Sequence, residues 1–174
     1  MPESGWSRRT TVVRVGELSE IHVPYRSAAE WIETLDGGPM RTLIGLARET
    51  SSEYLLESMA AGLCTSEELA SAAYDLYQQA IPFKWWEGYR LLAVSAQKEV
   101  MGRIALAGLD PYDMTAGVWC CAVYSLLTKD AEAKDKFKFD AQLSTPPDGI
   151  EDDDWGDNSF DTMVAQARAM PGMR

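Results

Sequence analysis

The sequence predicts a mainly α protein, a compact helical domain with a short N-terminal β-hairpin and an acidic C-terminal tail. Three observations carry this. Apolar residues recur at spacings of three and four through most of the middle of the chain. β-branched residues cluster near the N-terminus, in Thr10–Val15 and again in Glu20–Val23, with Gly16 between them. From Asp148 to Asp161 there are seven acids and no basic residue. The expected organisation is an arm and hairpin over 1–26, a helical domain over 27–143, and over 144–174 an acidic tail with a short terminal helix.

A two-stranded hairpin is marginal alone, so it should lie against the helical body or pair with another chain's edge. Ser27 is placed to cap a helix over Ala28–Thr34, which Asp36-Gly37-Gly38 ends. Pro39 opens the next element, Met40–Arg48, and Ser51 or Ser52 should cap Glu53–Ala61, closed by Gly62. Thr65-Ser66-Glu67-Glu68 has the spacing of a capping box, whose hydroxyl and carboxylate each satisfy an orphan backbone donor, and starts Ser66–Ala80. Pro82 breaks that helix.

The stretch from Pro82 to Leu127 organises the rest, with three of the six tryptophans and two of the three cysteines. Trp86, Tyr89, Ala93 and Ala96 make one stripe, widened by Trp85 and Leu92. A second helix is expected to begin with Asp110 as cap and Pro111 at its first position, to run to about Thr128, and to lie deep in the fold. Val100–Ala107 would be a short connection between these two helices. Lys129–Asp140 is mostly charged and reads as a frayed helix end, a solvated helix or an extended arm; Ser144-Thr145-Pro146-Pro147 halts regular structure. Asn158 or Ser159 should cap a last helix over Phe160–Ala169.

A chain of 174 residues can bury a real core without staples. Its net charge of −11 argues against nucleic acid, which is bound through clusters of Lys and Arg. The N-terminus lacks the apolar core of a signal peptide and no run is long enough to span a bilayer, so no membrane partner is expected. An odd cysteine count, with Cys120 and Cys121 adjacent in an apolar helix, fits a reducing compartment and buried small hydrophobes.

Chemistry finds few candidates. The single histidine, His22, lies in a strand, which leaves a nucleophilic Cys or Ser without a base. Adjacent helical cysteines cannot comfortably share one zinc, and Cys64 and His22 would have to converge from distant loops. Counting Asp152 as the first ligand of a calcium loop puts Met163 where a bidentate Glu belongs. Gly37-Gly38 lacks the Lys and Ser or Thr of a phosphate loop. No catalytic residue, metal site or cofactor is expected. Trp85 and Trp86 point about 100° apart around the helix; one reading buries both between helices, and the other leaves Trp85 partly exposed as an interface anchor, which makes it a candidate partner-binding residue with Trp155, Phe160 and Met163 of the tail. Acids alternating with aromatic groups make the tail an amphipathic segment suited to a groove on its own body or on a partner.

Lys84-Trp85-Trp86 with Arg90-Leu91, then Gly108-Leu109-Asp110-Pro111, Trp119-Cys120, Tyr124 and the tail Pro146-Pro147-Asp148-Gly149-Ile150-Glu151-Asp152 resemble proteins of long-tailed actinobacterial phages. That group is similar to the tail assembly chaperones. The likeness covers roughly Ala80 to Met173 and rests on packing and composition. It implies a small acidic helical protein that self-associates and coats the apolar tape-measure protein, with the major tail protein as a further partner. Such a protein acts in the cytoplasm of the infected bacterial host and is absent from the finished virion; its longer form arises by a translational frameshift. The rival readings are a virion component, such as a head–tail connector or minor tail protein, and an acidic host-directed regulator.

Overall fold

Strands β1 (Thr11–Arg14) and β2 (Glu20–Val23) pair antiparallel, with Val13 opposite Ile21 and Arg14 opposite Glu20. In this computed structural model, which describes residues 10–18 and 20–147, alternation puts Val13, Ile21 and Val23 on the buried face. Arg14 and Glu20 form an exposed pair at 3.0 Å on the other face. The turn uses Gly16 at φ +52°, a left-handed conformation that glycine adopts without steric cost. The hairpin solves its marginal stability by lying on the helical body, and Gln79 donates to the Val12 carbonyl at 3.3 Å.

Eight α-helices follow among the described residues. Helix α1 (Ala28–Glu33) has the expected Ser27 cap, completed as a box: the Glu30 carboxylate accepts from the Ser27 N–H at 2.8 Å. Burial alone would raise the Glu30 pKa, but hydrogen bonds from Ser27 and Arg26 outweigh it and hold that carboxyl below its usual range. A 3-10 turn, Leu35–Gly37, leads into α2 (Gly38–Leu46), with Pro39 in its first turn. Helix α3 (Glu49–Ala60) starts earlier than the serines suggest. Ser52 donates instead to the Ile44 carbonyl at 2.6 Å, tying α3 to α2, and no side chain caps the start. Helix α4 (Ser66–Ala80) has the Thr65–Glu68 box at the expected place.

The core gathers around α4 and α5 (Trp85–Ser95). Tyr77 of α4 is fully buried, edge-on to Trp31 with ring centres 5.0 Å apart and 6.2 Å from Tyr89. Its hydroxyl lies 3.2 Å from the Thr42 oxygen, and Thr42 itself donates to the Gly38 carbonyl. Since Thr42 has one proton to give, Tyr77 is the donor to it.

Three further features differ from the sequence reading. The segment expected as a plain connection is a helix, α6 (Lys98–Leu106), anchored by buried Val100 and Ile104 one turn apart. It ends in a Schellman arrangement: Gly108 takes φ +70° and the Leu109 N–H donates to the Ile104 carbonyl at 3.2 Å. Asp110 and Pro111 do not start the next helix. The carbonyls of Pro111 and Met114 accept from the Ala29 and Ala28 N–H groups, satisfying orphan donors of α1, and Asp110 closes a turn onto Tyr112 N–H at 2.9 Å. Helix α7 (Ala116–Thr128) therefore begins with Thr115 as cap. It is not buried all round either: Trp119, Cys120 and Val123 face the core, while Val118, Cys121 and Ser125 face outward.

The charged stretch becomes helix α8 (Ala133–Ser144), packed on α5. Arg90 of α5 donates to the Gln142 and Leu143 carbonyls at 3.0 and 2.9 Å and to that of Thr145, and Trp86 Nε1 reaches the Ser144 carbonyl at 3.3 Å. A guanidinium over the last carbonyls satisfies orphan acceptors and opposes the negative helix end. The acidic tail from residue 148 lies outside the described residues.

Replacing Thr42 by Val will leave the buried Tyr77 hydroxyl without its partner and cost about 1–3 kcal/mol in urea denaturation. The double change Thr42→Val with Tyr77→Phe, which removes both polar groups, will recover most of that loss.

Candidate interaction surface

The predicted anchor Trp85 is buried. It is 7% exposed and stacks on Tyr74 with ring centres 4.1 Å apart and planes at 17°. Trp86, 1% exposed, meets it edge-on at 5.8 Å. Adjacent tryptophans on a helix diverge by about 100°, yet α5 is enclosed on both of those sides, by α4 and by α8. Trp85 therefore lacks the exposure that an interface anchor needs, although its indole N–H has no hydrogen-bond partner among the described residues. Trp155, Phe160 and Met163 lie outside the described residues.

The groups that chemistry would use are scattered. Among the described residues no three of His, Cys, Asp or Glu converge as metal ligands. His22 is on the outer face of β2. Cys120 sits at the α5–α7 crossing, where its thiol donates weakly to the Gly88 carbonyl at 3.8 Å. Burial first, and Cys121 second, push the Cys120 pKa well up; burial also raises that of the exposed Cys121. Both remain thiols at neutral pH, which makes them poor nucleophiles. No described helix is long and apolar enough to cross a membrane.

What the surface offers is a seam on α3. That helix buries only Leu55 and Ser58, against α2 and the body, and leaves most of its circumference open. Leu56 and Met59 are 53% and 36% exposed, and Leu63, just beyond the helix, is 66% exposed. Leu56, Met59 and exposed Ala60 stand at i, i+3 and i+4 on one face of α3, positions through which one helix docks on another, and Leu63 follows past the helix end. The helix ends cleanly: Gly62 at φ +69° lets the Leu63 N–H donate to the Ser58 carbonyl at 2.8 Å, holding Leu63 near the end of the row. Along one flank run Glu49, Glu53 and Glu57, four residues apart and all exposed. An apolar row edged by a single sign of charge has the layout of a coiled-coil face, where flanking charges choose the partner.

The sequence reading passed over Leu56, Met59 and Leu63, and the signal was present in their spacing. No protein-family model, curated protein or solved structure matches the chain.

Of the three thiols only Cys121 is exposed. A maleimide reagent will therefore modify one thiol per native chain, at Cys121, and all three after denaturation. Because its pKa is raised, the rate will still be climbing with pH above the ordinary thiol range.

Proposed function

We propose that this chain is an assembly protein, a tail assembly chaperone that binds the tape-measure protein of a long-tailed phage and keeps it soluble while the tail tube forms. The single observation that supports this most is the α3 seam of Leu56, Met59 and Leu63 beside an acidic ladder. A chaperone for a long apolar helical client requires a surface that accepts helices, charge to keep the complex in solution, and no chemistry. The seam fits a client helix with its own apolar stripe and a basic flank facing Glu49, Glu53 and Glu57. Its action belongs in the cytoplasm of the infected host, before the virion is complete.

The seam does not draw on Trp85. Binding through α3 leaves the buried aromatic core intact, so the same body can hold and release the client without refolding.

Co-expression with the tape-measure protein of the same genome tests this reading. The wild-type chain will retain the client in the soluble fraction and co-purify with it. The triple change Leu56→Lys, Met59→Lys and Leu63→Lys, at exposed positions, will keep the helical circular dichroism yet reduce recovery by about tenfold or more, as expected for loss of a small apolar hot spot. Failure of the wild-type chain to retain the client, together with its presence in purified virions, would favour a structural tail or connector role instead.

A further inference from the structure

The outer side of α7 is the most unusual surface among the described residues. Its thirteen residues, Ala116 to Thr128, contain no charged group, yet Val118, Cys121 and Ser125 face solvent along one line. A helix without charges is ordinarily covered on every side. Below this line α7 and the first turns of α8 splay apart, because α8 leans on α5. The gap is an open trough of about 530 Å³. Leu109, Ala122 and Leu126 form its apolar floor, and Lys129 and Lys136 stand on its rim.

Charge is distributed unevenly around this trough. Four of the six lysines of the chain fall between residues 129 and 138; with Asp130, Glu132 and Asp135 among them the stretch is net +1, in a protein of net charge −11. Lys129 and Lys136 are both exposed, and neither has an ion-pair partner among the described residues. A lysine pair over an apolar floor is complementary to an apolar side chain flanked by carboxylates. The chain contains such a sequence, Glu151-Asp152-Asp153-Asp154-Trp155-Gly156-Asp157.

The connection also reaches. Arg90 and Trp86 pin the C-terminal end of α8, so the tail departs from a fixed point at Pro146-Pro147. Lys136 lies eight residues back along α8 from Ser144, about 12 Å at the rise of an α-helix. Eight residues separate Pro147 from Trp155, and an extended chain of that length spans at most about 26–29 Å. Two prolines at the exit disfavour continuation of the helix, and the chain can turn back along α8.

We infer that the acidic segment Glu151–Asp157 of the chain's own tail docks in the α7–α8 trough, with Trp155 on the Leu109, Ala122 and Leu126 floor and its acids on Lys129 and Lys136. The contact is intramolecular. It fills the trough beside Ser125, leaves Val118 and Cys121 open, and, since it uses a surface separate from α3, holds whether or not the protein is a chaperone.

The test uses the full-length chain carrying a photo-crosslinking benzophenone amino acid at position 155, irradiated alone in dilute solution. The expected result is crosslinking within one chain to peptides containing Leu109, Ala122 or Leu126, at a yield that does not change on tenfold dilution. The double change Lys129→Glu and Lys136→Glu, at exposed positions that leave the fold intact, will lower that yield several-fold. High salt will lower it in the wild-type background as well. Crosslinks to any other surface, crosslinks only between chains, or a yield indifferent to the charge reversal would each overturn the inference.

Discussion

The crossing of α5 and α7 at Gly88 and Cys120 is the constraint on which the rest of the fold depends. Gly88 sits so close to Ile81 that a Cβ there would lie 3.0 Å from the isoleucine methyl, and its carbonyl faces the fully buried Cys120 thiol. The missing side chain of Gly88 makes room for Ile81 at the end of α4, and the small Cys120 lies against the Gly88 backbone where α7 meets α5, with Trp119 reaching across. Its indole N–H donates to the Ser95 hydroxyl at 3.0 Å, and Ser95 in turn donates to the Leu92 carbonyl. Every polar group in that chain is satisfied away from water, which is what makes it tolerable in a core. With α5 held on this side by α7, its other sides are free to bury Trp85 against α4 and Trp86 toward α8.

That arrangement separates stability from recognition. The large aromatic side chains are consumed by the core: Trp31, Trp85, Trp86 and Trp119 are all buried. The exposed apolar groups, Leu56, Met59 and Leu63 on and beside α3 among them, sit on short, peripherally attached elements and include no described tryptophan. A helix that buries two residues contributes little to the body, and it can be engaged by a partner without disturbing α4, α5 or α7. The proposed function places recognition on this outer helix.

Much of the fold was legible in the sequence because its signals were local. The Ser27 cap, the Thr65 capping box, the hairpin and the C-terminal ends of α4, α7 and α8 all follow from residues within a few positions of one another. What was misread depends on contacts far apart in the chain. Asp110-Pro111 resembles a helix start, but the carbonyls that would begin that helix are occupied by α1, some eighty residues earlier. Ser52 resembles a cap until α2 is beside it to accept its proton. The candidate site was less legible. A tryptophan pair marks a place where burial energy is large, and from sequence alone a core wedge and an interface anchor look the same. The α3 seam has no rare residue to draw attention, and its spaced apolar residues look like a core stripe until their exposure is seen.

The most direct test of the account is hydrogen–deuterium exchange on the full-length chain, alone and co-purified with the tape-measure protein. The account predicts slowed exchange in α3 through Leu63 on client binding, with the slow amides of α5 and α7 unchanged. Unchanged exchange in α3, with protection elsewhere on the body, would contradict it.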